Sequence, residues 1–494
     1  MSDDPPQESL PSSSVAMDST VENRPPKPQP FSRSFTIIFA IFAITLTIFR
    51  GMPFLKREPL SLLYYPDVTA LWFVEQGMYL HEASAESSFR TLLPFTLFAV
   101  SRDELISDSE NALRDSIEFL KKEQSDSTEK IEKLRAHLIV ILCEARRFSE
   151  AKYETAHLGD GEDSRNFQQA VKAAYFEEPY FDEKNSVRYT KILESGWARS
   201  RLEARLDLLS KAKPTWTESW LRQQAKDWMA KLFVLSFVTL GLLIAGAYFF
   251  ATILVPRWKA GFTEDTDPWP AGEGYGIFAR SICYGTLLYF IIPRLPGNLR
   301  LLQFWNALIL WGPTVWWFRH RISKPDNKKF ADYFGLNLKQ LQFGLLIGAG
   351  VALFAANYAG TITITKGLEA VGIKMHWAEG LNEYLMYETW LWRLAIFIEA
   401  VIWAPILEEI LFRGLFFGAL RKQMNWICAA LISGLCFGAV HFYSYPGFLM
   451  VTFFGFVMAL GYQKTGSLIP SIVAHALTNF ILVWSSIWST SSGS

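Results

Sequence analysis

The chain has 494 residues, and its 48 lysines and arginines balance 48 aspartates and glutamates to a formal charge of zero. Half of the residues are apolar and only 19% are charged, with 18 tryptophans and 39 phenylalanines. The length exceeds one ordinary domain, the balanced charge excludes nucleic-acid binding by bulk electrostatics, and the apolar weight points to a polytopic membrane protein with a soluble part.

Residues 1–33 are rich in Pro, Ser and Asp and poor in apolar residues, the composition of a disordered tail. The apolar run 34–55 starts too far along the chain for a secretory signal and has no small-residue cleavage site, so it reads as an uncleaved transmembrane anchor. Residues 56–230 form a soluble helical domain rich in Glu, Lys, Arg, Ala and Leu, with helical apolar spacing at Ile131, Leu134, Leu138, Ile141 and Leu142. Within it, Arg147-Phe148-Ser149-Glu150-Ala151 resembles the middle of a tetratricopeptide-type hairpin, yet no second copy recurs at a fixed period. Two readings stay open: an irregular helical domain, or a helical array that binds a protein partner. Of the four cysteines only Cys143 lies in this region, which therefore has no intramolecular disulfide, and no CxxC or Cys/His zinc pattern occurs.

Residues 231–342 read as transmembrane helices and a basic loop, and 343–489 as a further membrane domain. Apolar stretches long enough to span fall at 34–55, 232–255, 275–292, 301–318, 343–364, 389–411, 426–442, 448–462 and 471–488. Loop charge sets the orientation. Arg319, Arg321, Lys324, Lys328 and Lys329 place their loop in the cytoplasm, as do Arg421 and Lys422 theirs. The helical domain and the acidic 366–388 loop (Glu369, Glu379, Glu383, Glu388) then lie outside. The aromatic stretch 311–318 reads as an interface belt rather than a ligand cage. The expected fold is all-α, a transmembrane helix bundle preceded by a soluble helical domain. The expected place is a plasma membrane, with a bacterial inner membrane suggested by few cysteines and no organelle address.

The chemistry-bearing residues cluster late in the chain. Glu408-Glu409 stands four residues before Arg413, Phe437 four before His441, and His475 four before Asn479. An ionisable side chain at bilayer depth costs roughly 2.5–3.5 kcal/mol on insertion scales, so this many such groups imply a use. Glu409 and Arg413 share a helix face and can pair. Glu408 is rotated by about 100° from Glu409 and stays free for chemistry. Glu399, earlier on the same helix, reads as a solvated or paired residue. Glu, His and Asn are residue types that activate water and stabilise an oxyanion.

Glu-Glu-x-x-x-Arg, Phe-x-x-x-His and His-x-x-x-Asn, in this order on successive apolar segments, resemble the CAAX protease and bacteriocin-processing (CPBP) family, to which the eukaryotic prenyl-protein endopeptidase belongs. The resemblance covers roughly residues 343–489 and excludes the tail and the helical domain. It implies a protease that cuts a membrane-associated protein or peptide within the bilayer. Glu408 would be the general base, assisted by His441. His475 and Asn479 would hold the oxyanion, with Glu409, Arg413 and Phe437 in support. No cofactor is expected, although Glu408, His441 and His475 would also suit zinc with an open position. The rival reading is a non-catalytic scaffold whose polar motifs only hold helices together. Simple hydropathy sets one puzzle: His441 lies near the outer end of its span and His475 near the inner end of its own.

Overall fold

The computed structural model describes residues 32–55, 60, 63, 65–85, 102–123, 127–176, 189–193, 195–209, 216–256, 269–291, 306–325, 328–336, 342–379, 385 and 389–490. Most of the expected disordered tail, and Glu383 and Glu388 of the acidic loop, lie outside the described residues. The described elements are helices, with no strand among them, so the all-α expectation holds.

The helical domain is built from α2 (Pro66–Ala85), α3 (Arg102–Glu123), α4 (Thr128–Glu144), α5 (Phe148–Ala156), α6 (Glu162–Phe176) and α7 (Trp197–Leu209). The spacing in α4 suggests one apolar face. The structure instead buries every residue from Ala136 to Cys143, so α4 is the central helix and its neighbours cover it on all sides. Glu144 ends this helix and meets Arg201 at 3.1 Å and Arg205 at 3.0 Å, which satisfies a carboxylate that burial would otherwise penalise.

No loop separates the helical domain from the membrane part at residue 230. Helix α8 (Trp216–Phe249) starts inside the helical domain and runs without interruption into the membrane part. Leu221, Ala225, Trp228 and Met229 on its first half are buried, with Ala225 and Met229 packing on Ala83 of α2. Its second half exposes Phe237, Ile244 and Tyr248 at 63–70%, a surface fitted to lipid rather than water.

The membrane part continues with α1 (Arg33–Leu55), α9 (Ala271–Ile291), α10 (Asn306–Phe318), α11 (Phe330–Tyr333) and α12 (Gln342–Ala370). Then come α13 (Trp390–Ile398), α14 (Ala404–Glu409), α15 (Gly418–Leu420), α16 (Trp426–His441), α17 (Tyr445–Thr465) and α18 (Ile469–Thr490). The described residues of the nine expected apolar stretches lie almost entirely on helix. Among the described residues four helices are long and apolar enough to cross a membrane: Thr217–Leu254, Phe343–Ala370, Tyr445–Thr465 and Ile469–Ile487. The protein is a multi-pass membrane protein. The aromatic stretch before the basic loop divides: Trp316 is exposed, but Phe318 is fully buried among Trp269, Phe330, Tyr333 and Phe334.

Two sides are distinct. Arg321 pairs with Glu273 at 2.8 Å, and Lys422 bonds the carbonyl of Trp269, so both basic loops gather at the start of α9. Helix α16 begins beside Lys422 and ends at His441. There the next turn meets Glu379, and the same loop touches the helical domain through Trp377 and Asp115. The acidic loop and the helical domain thus share one side, opposite the basic loops.

Candidate active site

The carboxylates ride on residues 390–420, a single helical run interrupted by two π-helical segments, Glu399–Trp403 and Ile410–Phe417. Such bulges leave carbonyls without their usual donors and recur at functional sites. In the first segment Ala404 N–H reaches back five residues to the carbonyl of Glu399. Ala400 would next be served by residue 405, but Pro405 has no N–H. Asn479 supplies the missing donor, its Nδ2 lying 2.8 Å from the Ala400 carbonyl. The second segment is served likewise: Ser433 Oγ donates to the carbonyl of Phe412 at 3.0 Å.

Glu409 and Arg413 are fully buried and pair at 3.0 Å, as their spacing predicts. The same Glu409 oxygen also meets His475 Nδ1 at 2.9 Å, so Glu409 serves two partners. The sequence shows only one. With Nδ1 occupied, the ring turns Nε2 toward Glu408, whose Oε2 lies 3.9 Å away. That separation is too long for a hydrogen bond. Glu408 Oε2 is buried, and no described group bonds it. Both atoms therefore keep hydrogen-bonding capacity directed at the space between them.

His441 is fixed through its own helix, with Nδ1 2.7 Å from the carbonyl of Phe437. Phe437 is the hub. Its ring lies 4.2 Å from the Arg413 guanidinium, 4.5 Å from the His441 ring and 6.0 Å from the His475 ring. This answers the hydropathy puzzle. Phe437 and Phe454 stack at 5.6 Å, and Phe454 reaches His475 at 4.8 Å, so rings on three helices step down from His441 to His475. Gly434 and Gly455 permit it: a Cβ at Gly455 would stand 2.7 Å from the Gly434 Cα, so α16 and α17 cross at close range. Helix α17 is also longer than its apolar stretch suggests. Its 21 residues begin immediately after the turn at 442–444.

The structure thus brings Glu408, Glu409, Arg413, Phe437, His441 and His475 to one locus. Asn479 stands on the same helix face as His475, but one of its two amide hydrogens is committed to Ala400. Among the described residues no group of three or more His, Cys, Asp or Glu has metal-holding geometry. His475 is nonetheless carboxylate-held at Nδ1, the orientation a metal-binding histidine takes. Sequence reasoning missed Pro405 as the cause of an orphaned carbonyl, and it missed Glu379, described below.

Residues 390–481 match the family described as type II CAAX prenyl endopeptidase Rce1-like. Over this segment the chain is similar to that family. All seven motif residues fall inside it, whereas the helical domain, α8 and α12 lie outside the matched residues. Over 90 residues the chain is 39% identical to a Bacillus subtilis (strain 168) protein named "Putative membrane peptidase YdiL", an overlap covering 18% of this chain and 36% of that relative. The chain therefore spans about a third of that relative's length. No solved structure matches.

Proposed function

We propose that this protein is an intramembrane endopeptidase that hydrolyses a peptide bond of a membrane-associated protein or peptide with water activated at Glu408. One observation carries the reading: Glu408 Oε2 and His475 Nε2 face each other at 3.9 Å, while Glu409 holds the far side of the imidazole. A carboxylate–imidazole pair ordered by a third group has the logic of a general acid–base site. Glu408 takes a proton from water, and the hydroxide adds to the scissile carbonyl carbon. The C–N bond then breaks, and the proton held at the site passes to the leaving amine. Water's hydroxyl ends on the new acid and its proton on the new amine. With Nδ1–H directed at Glu409, neutral His475 offers a lone pair at Nε2. The proton that Glu408 takes from water can be handed to that Nε2, which donates toward the oxyanion and then passes the same proton to the leaving amine. The uncommitted amide hydrogen of Asn479 is a second donor, and His441 assists Glu408 from the other helix.

The scaffold reading has its own support. Glu409, Arg413 and His475 form a buried network, and Asn479 is bonded to backbone. Peptide-library hydrolysis by purified protein, with and without Glu408→Gln, separates the two. The isosteric amide cannot accept the water proton, so turnover should fall by about 10²–10⁴-fold, the usual share of a general base. Retained turnover in a folded Glu408→Gln protein removes the base assignment. Hydrolysis by neither protein favours the scaffold. We further place the basic loops in the cytoplasm and the helical domain outside, in a bacterial inner membrane. Impermeant thiol labelling of single cysteines in each loop tests this, and labelling of the 319–329 loop from outside would reverse it.

A further inference from the structure

Glu379 belongs to the loop between α12 and α13, and in the sequence it carries only topological weight. In the structure it is 6% exposed. Its carboxylate accepts the backbone N–H of Ser444 at 2.7 Å and also the Ser444 hydroxyl. Ser444 is the N-cap of α17 and makes no capping bond of its own. The carboxylate supplies the cap instead, at a helix end whose free N–H groups and dipole favour an anion. The space is kept open by Gly447, where a Cβ would collide with both the Glu379 carboxylate and Tyr443.

The clamped turn follows His441 directly. Phe442 takes the left-handed conformation with φ 59°, a costly choice for a bulky residue that needs outside support. Tyr443 then stacks on His441 with ring centroids 6.0 Å apart, and it feels the charge of both Glu379 and Glu408. A shift of Ser444 would move the pair on which His441 rests.

The other end of the same loop is held by the helical domain. Trp377 Nε1 donates to Asp115 of α3 at 3.1 Å, and its ring meets Phe73 of α2 at 5.5 Å. His376 lies 3.6 Å from the same Asp115 carboxylate, and Lys374 lies 3.5 Å from Glu104. Between Trp377 and Glu379 stands only the buried Ala378, and the turn is closed by Glu379 N–H donating to the carbonyl of His376 at 3.0 Å. The strap is short and internally bonded, so displacement at one end reaches the other.

We infer that Glu379 is a positioning residue for the turn that carries His441, and that the helical domain holds it in register through the strap 374–379. The catalytic consequence rests on the hydrolase reading, whereas the clamp does not. The test uses the full chain in detergent with Glu379→Ala, Glu379→Gln and Asp115→Ala. It reads hydrogen exchange over residues 442–448 and, separately, kcat and KM for a peptide that the parent cleaves. Glu379→Ala should speed exchange and lower kcat by about tenfold, the scale of one lost charge-assisted hydrogen bond, with KM unchanged. Glu379→Gln keeps an acceptor for the Ser444 N–H and should recover most of both. Asp115→Ala should move both readouts the same way by a smaller factor. If Glu379→Ala does not fold, Glu379→Asp, whose carboxylate is one methylene short of Ser444, takes its place. Parent-like exchange in Glu379→Ala overturns the clamp. Faster exchange with unchanged kcat reduces Glu379 to a helix cap and overturns its positioning role. No response to Asp115→Ala removes the helical domain from the device. If the parent itself cleaves nothing, the hydrolase reading and the positioning role fall together, while exchange still decides the clamp.

Discussion

Glu409 Oε1 sits 2.9 Å from His475 Nδ1 and 3.0 Å from Arg413 Nη1, so one buried oxygen joins the helical run 390–420 to α18. The pair that the sequence suggests is in fact a triad. By holding Nδ1 of His475, the third member, Glu409 leaves Nε2 for chemistry.

Arg413→Ala should therefore cost more than one ion pair. It would leave a fully buried carboxylate without its cation, a loss of about 3–5 kcal/mol for a broken buried pair. It would also strip the Phe437 ring of the guanidinium 4.2 Å from its centre. Thermal unfolding in detergent reads the loss, and a parent-like midpoint would mean that the pair contributes no stability.

Asn479→Ala should destabilise the protein by about 1–3 kcal/mol, because the Ala400 carbonyl then has no donor. Adding Pro405→Ala restores an N–H in the helix itself and should return part of that stability. The double variant also separates two roles of Asn479. Stability regained without turnover points to an amide hydrogen used on the substrate, whereas both regained together would make Asn479 a backbone prop.

Glu75 in the helical domain gives a pH prediction. Burial pushes its carboxyl up from the ordinary 4.5 to about 7, against a hydrogen bond from Tyr79 that pulls it down. A raised folded value means that the folded state holds the proton more tightly. Its contribution is then fully present below pH 4.5 and is lost as pH rises through about 7. Glu75→Gln removes this dependence. The variant should match the parent near pH 4 and exceed it near pH 8 by up to about 3 kcal/mol. Unfolding curves of the two proteins across that range check it, and a constant offset would show that Glu75 is not desolvated.

Hydrolysis should survive prolonged chelation, since Glu408 and the histidines can move a water proton unaided. Elemental analysis of active protein belongs beside the activity assay. Stoichiometric zinc, with turnover lost on its removal and restored on its return, would make Glu408, His441 and His475 ligands.

Periodicity and motif order carry much of this architecture, because the period of a helix and the cost of charge in lipid are local properties. Contacts between distant segments are not local. Pro405 advertises an unserved carbonyl, but its donor lies 79 residues from Ala400. Glu409 and His475 meet across 66 residues. The ends of α17 were obscured because Pro446, Gly447 and Gln463 resemble loop residues. Yet Pro is tolerated in a first helical turn, and Gln463 is held by Arg421 at 2.9 Å. The boundary at residue 230 marks a change of composition, whereas the helix period continues across it through α8.

That unbroken α8 has a mechanical consequence. A 34-residue helix is about 50 Å long and bends little unless Pro, a glycine–serine pair or a bulge interrupts it. Its first half is bolted to α2, and its second half lies against α12, where Gly246 meets Ala355 and Val351. Load placed on the helical domain would therefore be delivered as torque where α8 crosses α12, like the short arm of a lever turning a packed bundle.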